Sequence, residues 1–109
     1  MNILLVYPEH LKSKADKIEQ EFCKKGVFCY WGYARLTEST AITTWKDMIG
    51  DSTMIFILSD HQSYQSERLM QQLNDATALA MQFHKNYYWF CRDSALRWIN
   101  QIIEMCQAQ

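Results

Sequence analysis

Apolar and polar positions alternate along the chain in two rhythms. Residues 3–7, ILLVY, are apolar without a break and end at Pro8, as in a strand buried on both faces. From Leu11 to Lys25 the rhythm turns helical: Leu11, Ala15, Ile18 and Phe22 recur at 4, 3 and 4 residues, with charges between them. Gly26 after two lysines is a helix stop. VFCYW at 27–31 reads as a second strand closed by Gly32, and YARLTESTA at 33–41 as a polar loop. A short helix is predicted from Ile42 to Ile49, with Ile42, Trp45 and Ile49 on one face and Gly50-Asp51-Ser52 as its breaker. TMIFIL at 53–58 is the third strand, and SDHQSYQ is loop. Ser63 or Ser66 caps a helix that runs to Phe83. NYYWFC at 86–91 is the fourth strand. Asp93 or Ser94 opens a last helix with Leu96, Ile99, Ile102, Ile103 and Cys106 toward the core.

Strands and helices thus alternate four times, with short loops. That order demands a parallel sheet covered by helices on both faces. Right-handed crossovers favour the strand order 2-1-3-4, a flavodoxin-like three-layer α/β/α sandwich. The 109 residues suit one domain, and 49% hydrophobic content can fill its core. A net charge of −1 leaves no electrostatic footprint for nucleic acid or an acidic membrane surface. No stretch approaches a membrane span, and the opening MNILLVYPEH is no signal peptide. A cytoplasmic protein is expected. Cys23, Cys29, Cys91 and Cys106 form no C-x-x-C pair and have apolar neighbours, which suits reduced core thiols.

In such a sheet, ligands bind beyond the carboxyl ends of the strands, where the strand order reverses. The loops there hold Tyr7, Glu9 and His10 after the first strand and Ser59, Asp60 and His61 after the third. Trp31 ends the second strand and Tyr33 and Arg35 follow it, where a loop can stack on a base or clasp a phosphate. The two acid–His pairs offer general acid–base or metal-binding chemistry, but their spacing matches no metal motif. Neither G-x-x-x-x-G-K-[ST] nor G-x-G-x-x-G occurs, and no cofactor is expected.

Read together, ILLVY, KIEQEFCKKGVFCYW, TAITTWKDMIGDSTMIFILSD and SERLMQQL resemble a TIR (Toll/interleukin-1 receptor) domain over roughly the first 80 residues. Leu58-Ser59 is similar to that family's L-S strand end, and 66–73 to its S-E-W-C-x-x-E-L helix start. Arg68, Leu69 and Gln72 depart from the pattern, and the chain has room for four strands rather than five. The resemblance implies that an NAD-cleaving member would carry a glutamate where this chain has Gln72. An amide has no charge for a cationic transition state and takes no proton. Helical geometry puts Gln72 roughly 70° from the buried direction set by Leu69, Leu73, Ala76 and Ala80, on the rim. Glu67 lies roughly 150° away on the solvated side and is a weak substitute. The opening also resembles a response-regulator receiver, but Tyr7 and Pro8 stand where its acid pair belongs.

The expected function is therefore a non-catalytic TIR-like signalling or interaction module with a nucleotide-like ligand at the carboxyl edge of the sheet. The alternatives are an NAD- or N-glycoside-cleaving hydrolase and a degenerate receiver-like or metal-binding domain. Strands two and four are edges of aromatic, uncharged sequence. They invite a protein partner or self-association as a homodimer.

Overall fold

The protein was described from a computed structural model covering residues 2–26, 30–37, 42–91 and 104. Four parallel strands form one sheet in the order β2-β1-β3-β4, as the sequence predicts. They are β1 (Asn2–Pro8), β2 (Tyr30–Leu36), β3 (Met54–Ser59) and β4 (Asn86–Cys91). Helix α1 (Lys12–Lys24) covers one face; α2 (Lys46–Asp51) and α3 (Glu67–Gln82) cover the other. Among the described residues no helix is long and apolar enough to cross a membrane.

The two central strands set the layers. β1 from Ile3 to Pro8 and all of β3 are buried. Alternate residues of each strand serve opposite faces. Ile3, Leu5, Tyr7, Met54, Phe56 and Leu58 pack under Ala15, Ile18 and Phe22 of α1. Leu4, Val6, Ile55 and Ile57 pack under Ile49, Leu69, Leu73, Ala76 and Ala80. On the α1 face Phe56 is the hub of an aromatic cluster, with Phe22, Tyr88 and Phe90 at centroid distances of 5.8, 5.9 and 5.5 Å.

Several boundaries differ from the sequence reading. β2 does not stop at Gly32 but runs through it to Leu36, so Tyr33 and Arg35 are strand residues, not loop. Gly32 is a close-approach site: a Cβ there would sit 2.7 Å from Met48 Cε and 3.3 Å from Leu4 Cδ1. Residues 27–29 of the expected strand and 38–41 of the expected loop lie outside the described residues. A 3-10 turn, Glu9–Leu11, precedes α1, and a second, Ile42–Trp45, precedes α2. Helix α2 continues through Gly50 and Asp51 and ends at Ser52, whose hydroxyl donates to the Met48 carbonyl at 2.6 Å. Cys23 is an exposed free thiol rather than a core residue, because Phe22 takes the inward position in that turn. The last predicted helix lies outside the described residues except Glu104, which is helical and exposed.

Both long helices end by identifiable means. Gly26, at φ 70°, closes α1 in the left-handed conformation that glycine tolerates. α3 starts on Ser66, whose hydroxyl accepts from Leu69 N–H at 3.3 Å. It closes with Lys85 N–H on the Ala80 carbonyl and His84 N–H on the Met81 carbonyl, at 2.8 and 3.1 Å. That pair is a Schellman motif, and its left-handed position is His84, at φ 56°.

His84→Gly relieves that backbone cost. It should raise stability by about 0.5–1 kcal/mol in a denaturant titration. Phe56→Ala removes the aromatic hub and should lower stability by about 3–5 kcal/mol, read in the same titration.

Candidate functional site

Parallel pairing brings the carboxyl ends of β1, β2 and β3 to one edge. Tyr7 and Pro8 lie beside Arg35 and Leu36 in the β1–β2 register, and β3 ends at Ser59. Because strand residues alternate, this edge has two sides. Tyr7, Tyr33 and Arg35 belong to the α1 side, and Leu36 to the α3 side.

On the α3 side, at the reversal of strand order, a cleft of about 290 Å³ is lined by Glu9, His10, Leu36, Thr37 and Leu69. Functional cavities run from roughly 300 to 1,000 Å³, so this one has room for a ring or a sugar rather than a whole dinucleotide. His10 Nε2 donates to Asp60 Oδ1 at 2.8 Å, tying the loop after β1 to the loop after β3. The same oxygen accepts from Ser63 N–H at 3.0 Å and from the Ser63 hydroxyl at 2.8 Å. Burial acts to raise the Asp60 carboxyl. The hydrogen bonds from His10 and Ser63 and the charge of His10 outweigh it and hold the group below its ordinary value. This acid–His pair thus joins two loops.

Gln72 departs most from its expected place. It is 4% exposed, not on the rim of α3. Its Nε2 donates to the Thr37 carbonyl at 2.9 Å, while its Oε1 is buried with no hydrogen-bond partner among the described residues. The angular estimate located the residue on the helix. It missed that the extended β2 carries Thr37 across that flank. Glu67 is exposed in the first turn, as expected, where it complements the helix dipole.

On the α1 side a larger hollow of about 640 Å³ is bounded by Tyr7, Tyr33 and Arg35 of the sheet, Lys12, Asp16 and Glu19 of α1, and Trp45. The Tyr33 hydroxyl donates to Glu19 Oε2. Burial, then the hydrogen bond and charge of Glu19, push the Tyr33 phenol well above its usual value, so it stays a proton donor. Arg35 is exposed; its hydrogen bond to Tyr7 is the main influence that raises its guanidinium further. Lys12, Asp16 and Glu19 escaped the sequence reading, and Trp45, read there on one face with Ile49, does pack against the core around Ile49 as well as bounding this hollow. Asp16 and Glu19 are spaced to flank one helix face, but only the longer β2 shows what they face.

The remaining candidates separate from both hollows. Trp31 lies near the amino end of β2, opposite Ile3, and packs edge-on against Phe22 at 5.1 Å. Ser59 is 3% exposed and accepts from Trp89 Nε1 at 2.6 Å, which joins β3 to β4. His61 is exposed in the turn before Ser63. Among the described residues, no three His, Cys, Asp or Glu side chains converge as a metal centre requires.

Fold and site together define a flavodoxin-like α/β domain with a cleft at its switch point. Scanned against protein-family models and compared with curated proteins and solved structures, the chain shows no match.

Asp60 gives the site a pH signature. Its folded-state value is depressed, so its contribution is present above the unfolded value of about 3.9 and is lost as pH falls through the folded value. Asp60→Asn should therefore flatten the acid limb of a Tm–pH profile below about pH 4 and lower Tm near neutrality.

Proposed function

We propose that this chain is a TIR-like module that works in the cytoplasm by binding rather than by catalysis. It meets a protein partner, a second copy of itself included, along its edge strands. Its switch-point cleft receives part of a nucleotide-like ligand. The observation that supports this reading best is Gln72. On the resemblance to TIR domains, the residue stands where NAD-cleaving members carry a glutamate. Here the position holds an uncharged amide, 4% exposed, with its N–H donated to the Thr37 carbonyl. A side chain so engaged supplies neither negative charge nor a proton acceptor to a bound ribose. The two acids nearest to it on the helix, Asp75 and Glu67, are both exposed. The parallel order β2-β1-β3-β4 and the serine-capped α3 are consistent with the reading, and so is the small cleft.

Incubation of the whole chain with NAD should release no nicotinamide above the buffer rate. Gln72→Glu should gain no activity. It should lose about 2–4 kcal/mol of stability, because it buries a charge and turns the Thr37 carbonyl's donor into an acceptor. Clear turnover by the natural chain that vanishes in Glu67→Gln would instead establish the hydrolase.

A further inference from the structure

The hollow on the α1 side has a charge arrangement that the switch-point cleft lacks. Its four charged residues separate into a closed pair and an open pair. Lys12 Nζ and Asp16 Oδ2 lie 3.2 Å apart on one turn of α1 and neutralise each other at the rim. Arg35 and Glu19 remain. Arg35 has no ion pair to a carboxylate among the described residues, and Tyr7 is its register partner on β1. Glu19 accepts from Tyr33, a neutral phenol that leaves its charge in place and lone pairs to spare. The hollow therefore presents a cation at one end and an anion at the other. Tyr33, which holds Glu19, and Arg35 are two residues apart on the same face of β2, so their backbones are about 6.6 Å apart along the strand.

Between those ends the walls are flat and aromatic. Tyr7 and Tyr33 meet edge-to-face at 6.4 Å, and Trp45 closes the hollow. Trp45 bounds the hollow at the edge of the sheet while its ring also packs against the α3-side core, where its indole N–H is buried. At about 640 Å³ the hollow is within the range of small-molecule sites.

We propose that this hollow binds a small planar compound with an acidic group at one end and an amino or ring N–H group at the other. The acid meets Arg35, where guanidinium geometry favours a carboxylate or phosphate. The amine meets Glu19, and the ring lies among Tyr7, Tyr33 and Trp45. The shared chemistry is found in free aminated aromatic acids and in aminopurine nucleotides. The site is independent of the TIR-like reading, since its charged ends, Arg35 and Glu19, lie on the α1 side of the sheet and need nothing from Gln72.

The test is an NMR titration of the full chain, following backbone amides and indole N–H signals. The probes are 4-aminobenzoate, benzoate and adenosine monophosphate. 4-Aminobenzoate should give saturable shifts at Tyr33, Arg35 and the Trp45 indole, with a Kd on the order of millimolar for so small a ligand. Benzoate, lacking the amine, should bind more weakly. Arg35→Gln should weaken both about tenfold or more, through loss of a charge-assisted contact. Glu19→Gln should weaken 4-aminobenzoate and leave benzoate no weaker, and Tyr33→Phe controls for the loss of the Tyr33–Glu19 bond. Adenosine monophosphate binding more tightly than 4-aminobenzoate assigns a nucleotide source, and binding less tightly assigns a free acid; either supports the site. Absence of saturable shifts for every probe overturns the proposal. So does binding that Arg35→Gln leaves intact, or shifts confined to the far side of the sheet. Because NAD turnover is read separately, failure here leaves the proposed function standing.

Discussion

The burial of β1 and β3 on both faces is the constraint from which the rest of the structure follows. A strand with no solvated side needs a layer above and below it, and one hydrogen-bonded neighbour on each edge. Parallel neighbours need crossovers, and here the crossovers are the helices that supply those layers. α1 covers Ile3, Leu5 and Tyr7; α3 covers Leu4 and Val6. The carboxyl ends of β1 and β3 then lie side by side with their loops free to approach. The His10–Asp60 contact at 2.8 Å is what that approach produces.

The same constraint explains what the sequence made legible. ILLVY and MIFIL carry apolar residues at every position because every position is buried, so an unbroken run identifies them. α1 and α3 are legible because their inward residues recur at helical spacing, and Ser66 and Gly26 mark two of their ends. β2 obeys a weaker rule. As an edge strand it alternates: Ala34 and Leu36 are buried, Arg35 is exposed, and Tyr33 lies between. Such a segment resembles a polar loop, above all after a glycine. Gly32 interrupts the apolar pattern, yet its lack of a side chain is what lets Met48 and Leu4 pack against the strand.

The position of that one strand end decides the layout of the candidate site. A strand that stopped at Gly32 would leave Trp31 at the carboxyl edge and Tyr33 and Arg35 on a mobile loop. With β2 ending at Leu36, Trp31 moves to the amino end and pairs with Ile3, while Arg35 pairs with Tyr7. Thr37 then reaches the flank of α3, and Gln72 loses the solvent that its angle on the helix assigned it. The burial of Gln72 is thus a consequence of where β2 ends. A helical projection contains no information about a strand that crosses its flank, so the result was not available from residues 66–73 alone.

The two hollows meet at the end of β2, and their chemistry differs because consecutive strand residues face opposite sides. Arg35 serves the α1 side and Leu36 the α3 side, and just beyond the strand Thr37 joins Leu36 at the same cleft. The α3-side cleft is small, and beside it His10 is bonded to Asp60 and Gln72 Nε2 to Thr37, while Gln72 Oε1 has no partner among the described residues. The α1-side hollow is larger and keeps one cation and one anion apart, with Glu19 held by the Tyr33 hydroxyl. Internal pairing favours rigidity, whereas charges held apart favour recruitment of a ligand that bridges them. The reversal of strand order fixes where a site belongs in this fold. Which side of the sheet carries the recognition chemistry is decided by the alternation of one edge strand.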